Sequence, residues 1–91
     1  FKGVIIARRT GGSAGAAGDS AAYFFQGSGK NIGGTATLSS GGTPTIGHED
    51  QAGWDANCAI AASNELRFRV TGATNNDIVW HGFVEYGYVG T

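Results

Sequence analysis

Strict alternation of apolar and polar side chains is the feature that most limits what this chain can fold into. From Glu65 to Thr71, Leu66, Phe68 and Val70 face one way while Glu65, Arg67, Arg69 and Thr71 face the other. That is the period of a half-buried antiparallel strand. Trp54 to Ala62 repeats it, with Trp54, Ala56, Cys58, Ile60 and Ala62 opposite Asp55, Asn57, Ala59 and Ala61. Only Ser63 and Asn64 separate the two segments, which predicts a tight hairpin in which an Asn accepts a positive φ. No stretch of the chain carries a helical period.

Further strands are expected over Gly3–Arg9, Asp19–Gln26, Thr35–Ser39, Thr43–His48 and Asp77–Val89. The short pair surrounds a Ser40-Gly41-Gly42 turn, and Pro44 argues for a sheet edge. Thr10 to Gly18 is a Gly- and Ala-rich loop that cannot bury enough to fix itself. About seven short strands punctuated by turns predict an all-β fold, a small antiparallel β-sandwich of jelly-roll-like form. The expected organisation is a single domain, 1–91, and a chain opening on Phe1 reads as a fragment of a longer protein.

Two of these strands are apolar on both faces. Asp19–Gln26 sets Ala22 and Phe24 against Ala21, Tyr23 and Phe25, and Asp77–Val89 sets Ile78, Trp80, Val84, Tyr86 and Tyr88 against Val79, His81, Phe83, Glu85 and Val89. Composition sharpens the problem, because Gly contributes 17 of 91 residues and Leu, Ile, Val and Phe together only 18. A core this thin in a chain this short needs help from disulfides, metal or association. A lone Cys58 excludes an internal disulfide, and no CxxC or HxxxH spacing offers a zinc site. Self-association is the remedy left, with Val79, Phe83, His81, Tyr23 and Phe25 as candidate interface residues. A net charge of −1 without a basic run gives no footprint for nucleic acid, and no apolar run is long enough to insert in a membrane.

Leu66-Arg67-Phe68-Arg69-Val70-Thr71-Gly72, a polar turn, Asp77-Ile78-Val79-Trp80 and then Val84-Glu85-Tyr86 resemble the ending of many bacteriophage tail-fibre and tailspike C-terminal domains. Ala7-Arg8-Arg9-Thr10, a Gly-rich stretch, Asp19-Ser20-Ala21-Ala22-Tyr23 and Gly27 are similar to their opening, and Asp50-Gln51-Ala52-Gly53-Trp54-Asp55 to their lead into the middle strand. Gly87, Tyr88 and Gly90 depart from the pattern. The resemblance implies a homotrimer at the distal end of a fibre, made in the host cytoplasm and acting as part of the virion. Its implied work is trimer formation, host-surface binding or both.

Catalysis is not expected. Cys58 lies between Ala56 and Ile60 on an apolar face, where an unactivated thiol is a small core residue. In His48-Glu49-Asp50, strand geometry lets only His48 and Asp50 share a site, too few for a closed metal centre, so neither metal nor cofactor is expected. The seven carboxylates stand in a chain too short for the cleft that glycoside hydrolysis needs. Sugar binding uses aromatic faces with amides and acids that fix hydroxyls. Thr74, Asn75, Asn76 and Asp77 at one turn, with His48, Gln51 and Trp54 at another, are the candidate contacts to a bacterial surface glycan or outer-membrane receptor. Two alternatives are a carbohydrate-binding module of a secreted hydrolase and a trimerisation cap without receptor contact.

Overall fold

The alternation in 54–62 and 65–71 sets up the layer that closes the core. In the computed structural model, which describes residues 1–89, eight strands run antiparallel and no helix occurs among the described residues. They are β1 (Lys2–Gly11), β2 (Ser20–Gln26), β3 (Ser28–Ile32), β4 (Thr35–Ser40), β5 (Thr45–Glu49), β6 (Asp55–Ile60), β7 (Leu66–Thr71) and β8 (Asp77–Glu85). Gly90 lies outside the described residues. β6 buries Ala56 and Cys58, with Trp54 just ahead of it, and turns Asp55, Asn57 and Ala59 outward. It pairs with β7 so that Cys58 faces Phe68 and Ile60 faces Leu66. The connecting loop is one residue longer than the spacing suggests. Ala61 N–H donates to the Glu65 carbonyl at 2.8 Å, Asn64 N–H donates to the Ala61 carbonyl at 2.9 Å, and Asn64 takes φ +63°. A type I turn closed by a left-handed residue is the usual three-residue hairpin.

β5, β2, β1 and β8 form a four-stranded sheet in that order. The chain reaches β5 from β2 by way of the β3–β4 hairpin, then crosses to the far edge at β8 by way of the β6–β7 hairpin. That crossing lays β6–β7 over one face of the sheet. Between the layers lie Ile5, Ala7, Ala21, Tyr23, Phe25, Trp54, Ala56 and Cys58, with Phe1, Phe68, Ile78 and Trp80 packed at their margin. Phe68 meets Phe25 edge-on, ring centres 5.1 Å apart, and Phe1 likewise at 6.1 Å. Gly3 makes this possible, since a Cβ there would stand 3.1 Å from the Phe68 ring. The second layer is therefore two strands wide, enough to cover one face of the sheet.

β3 has no counterpart in the sequence reading. Its SGKNI run lacks alternation and every residue is exposed. The strand exists because Gly33 and Gly34, at φ +60° and +83°, form a two-residue turn that folds it onto β4. β4 thus pairs with β3, and Gly41-Gly42 carries the chain on to β5 at the sheet edge instead of closing a β4–β5 hairpin. The β3–β4 arm contacts the body chiefly through β6. It helps stretch the molecule to 51 × 22 × 17 Å, with a radius of gyration of 15.1 Å against about 12 Å for a compact domain of this length.

Candidate subunit interface and recognition loops

Cross-strand partners in an antiparallel sheet share a face, so the register defines the side that β6–β7 leaves uncovered. Its rows across β2, β1 and β8 are Gln26–Lys2–Glu85, Phe24–Val4–Phe83, Ala22–Ile6–His81 and Ser20–Arg8–Val79. On β5, His48 extends the Ala22 row and Thr45 the Phe24 row. Phe24 is 46% exposed and Phe83 68% exposed, with Ile6 and Val79 close to the former. Charge is confined to the ends of this face and the middle is apolar. Val79, His81 and Phe83 lie together on it, as three of the candidate interface residues.

Tyr23 and Phe25 do not. They are 0% and 2% exposed and fill the core of the chain itself, so they have no surface to offer a neighbour. Their places on the outer face are taken by Ala22 and Phe24. The Tyr23 hydroxyl donates to Glu49 at 2.6 Å, and burial, with Glu49 beside it, raises its pKa well above the usual phenol range. Tyr86 and Tyr88 are corrected in the other sense. β8 ends at Glu85, and both tyrosines are exposed beyond it instead of lying on a strand face.

The candidate recognition residues converge at one end of the sheet. Gly11 pairs with Asp77, and Ala14 N–H donates to the Asn75 carbonyl at 3.0 Å, which joins the 12–19 loop to the 73–76 turn. Asn75 takes φ +63°, and Asn76 N–H closes the turn on the Ala73 carbonyl at 3.2 Å. The loop is fixed by hydrogen bonds, where the sequence offered no burial to fix it. Arg9 donates through Nε to the Ala14 carbonyl at 2.9 Å and through Nη2 to the Gly12 carbonyl at 2.7 Å. Asp19 accepts from Ala16 N–H at 2.8 Å and from Gln51 Nε2 at 2.6 Å. Beside it, Asp50 accepts from Ser20 N–H at 2.8 Å and meets His48 Nε2 at 2.9 Å. The Ser20 bond first, and His48 after it, hold the Asp50 carboxyl below its ordinary value. His48 and Asp50 thus share a side, while Glu49 turns to Tyr23.

Thr74, Asn75, Asp77 and His48 are exposed at this end, with Asn76 and Gln51 half-buried. Asn76 Oδ1 is buried without a hydrogen-bond partner. Trp54 is the exception. It is 1% exposed, its indole faces Trp80 at 6.1 Å between ring centres, and its indole N–H has no partner. The alternation that places Ala56 and Cys58 inward carries Trp54 with them, so it cannot stack on a sugar. Burial also pushes the Cys58 thiol up, away from a nucleophilic thiolate. Among the described residues no three His, Cys, Asp or Glu side chains converge on a metal geometry.

Sequence reasoning passed over a second surface. Near the arm, Phe1, Leu38, Ile60, Leu66 and Tyr88 line an open groove of about 720 Å³. Leu66 and Ile60 end a strand pair whose alternation reads as core, but β6–β7 runs past the edge of the layer that would cover them. No protein-family model matches this chain, and neither a curated protein nor a solved structure matches it significantly.

Proposed function

We propose that this chain is a non-enzymatic C-terminal domain of a phage tail fibre or tailspike, which trimerises the fibre and presents its loops to a bacterial surface glycan or outer-membrane receptor. The observation that carries the reading is the uncovered apolar face. Contiguous exposed apolar side chains of this kind mark an association surface on a soluble domain, and a second and third copy of this chain are its occupants here. Rotation about an axis along the strands would bring three such faces together and direct all three loop clusters the same way. Three weak sites on one rigid tip then act with the avidity of a multivalent binder. In this reading Thr74, Asn75, Asn76, Asp77, His48 and Gln51 supply the polar contacts, and Val79, Phe83 and His81 with Phe24, Val4 and Ile6 supply the subunit contact. Assembly in a reducing cytoplasm suits the single buried thiol.

Light scattering on the chain over a range of concentrations tests this. The expected mass is that of three chains, stable on dilution. A monomer at all concentrations would overturn the reading and favour a monomeric carbohydrate-binding module of a secreted hydrolase. A stable trimer whose host adsorption is unaffected by Asn75→Ala and Asn76→Ala would instead favour a trimerisation cap.

A further inference from the structure

The middle of the uncovered face is apolar on β2 and β1, and one of its rows carries an imidazole at each end. That row runs His48–Ala22–Ile6–His81 across all four strands. Phe24–Val4–Phe83 flanks it on one side and Ser20–Arg8–Val79 on the other. Imidazole is the side chain whose charge ordinarily changes between mildly acidic and neutral conditions. A neutral ring can be covered by apolar surface, whereas a charged one resists the loss of water unless it is paired. We infer that assembly through this face is gated by pH, with His81 as the group that takes up the proton. The inference rests on the trimer reading above.

The charged groups around the two imidazoles separate their roles. On β5, Asp50 stands 2.9 Å from His48 Nε2, so a protonated His48 retains a counter-ion, while Glu49 is turned to Tyr23 on the other face. β2 brings Ser20, Ala22, Phe24 and Gln26 to this face and no titratable group among them. β1 brings Lys2 and Arg8, with Arg8 in the adjoining row and diagonal to His81. On β8, Asp77 and Glu85 lie on the same face as His81 but four residues to either side, roughly 13 Å along the strand, with Lys2 the cross-strand neighbour of Glu85. His81 therefore has no acid on β1, β2 or β8 in its own row or in either adjoining row. Closing the assembly over it when protonated would bury a charge that its own copy does not compensate. Association is strongest where the imidazole is neutral and weakens as pH falls.

The test is the dissociation constant of the oligomer by light scattering at about pH 7.5 and about pH 5.5, for the wild type, His81→Gln and His48→Gln. Circular dichroism at both pH values reports the fold of each copy. Acid is expected to weaken the wild-type assembly by about tenfold or more with the strand signal unchanged. His81→Gln is expected to remove most of that dependence and His48→Gln to keep it. An oligomer indifferent to pH, a His81→Gln variant as pH-sensitive as the wild type, or dissociation accompanied by unfolding would overturn the inference. Failure to oligomerise at the higher pH would instead remove the trimer reading beneath it.

Discussion

The two faces of the four-stranded sheet are built from the same kinds of residue and meet different fates. On one, Ile5, Ala7, Ala21, Tyr23 and Phe25 are buried beneath the β6–β7 hairpin. On the other, Ile6, Phe24, Val79 and Phe83 run through the same strands and stay exposed, with Val4 half-buried among them. The difference lies in what the crossover covers, not in the strands. β6–β7 is a single hairpin, and one hairpin can cover one face. The chain thus spends its few large side chains on two surfaces but closes only one by itself, and the open one is the surface that copies of the chain are proposed to fill.

The comparison breaks most visibly on the covered side. Phe25→Ala, which removes the ring that packs against Phe68, is expected to cost about 3–5 kcal/mol of folding stability. That is a large share of the roughly 5–14 kcal/mol available to a domain of this size, and urea denaturation should show the variant largely unfolded. Phe83→Ser on the open side should leave the unfolding midpoint of the isolated chain almost unchanged. Its effect should fall on association, weakening it by about 2–4 kcal/mol as expected of a central aromatic contact, measured by mass on dilution. Equal losses of folding stability in the two variants would erase the distinction between the faces.

The turn that lets β6–β7 reach the sheet gives a smaller effect. Asn64 holds φ +63° and accepts from Ala36 N–H at 3.1 Å. Asn64→Val should cost about 1–2 kcal/mol from the left-handed backbone alone, and Asn64→Gly much less, by thermal denaturation. The smallest effect concerns Asp50, which ties β5 to the start of β2. Its folded-state carboxyl is held below the ordinary value by Ser20 N–H and then by His48. A group so depressed adds stability that is fully present above its unfolded pKa of about 3.9 and is lost as pH falls through the lower folded value. Acid titration of the unfolding midpoint should show a slight loss below about pH 4 that Asp50→Asn removes.

Much of this architecture is legible in the residues. The alternation of β6 and β7, the left-handed Asn64, the edge position behind Pro44 and the shared side of His48 and Asp50 all follow from period and side-chain chemistry. What the residues hide is which face of a two-sided strand lies inward. Alternation in β2 separates Tyr23 and Phe25 from Ala22 and Phe24, yet both sets are apolar, and only the path of β6–β7 decides between them. The same path buries Trp54, whose position beside Asp50, Gln51 and Asp55 looks like a recognition loop in sequence. β3 was hidden for a different reason. Its SGKNI run has no apolar face, and a Gly33-Gly34 turn alone brings it to β4. The candidate recognition residues were legible as turn chemistry, but their convergence was not, because it depends on Arg9 and Asp19 holding the 12–19 loop between them.

Hydroxyl-radical footprinting of the chain at concentrations where it self-associates, with each ring's oxidation resolved by mass spectrometry, tests most directly whether copies of the chain cover the second face. The account predicts that Phe24 and Phe83 are protected nearly as well as Phe25 and regain reactivity when the assembly is diluted apart, while Phe25 stays protected throughout. Phe24 and Phe83 reacting as freely exposed rings at every concentration would contradict it.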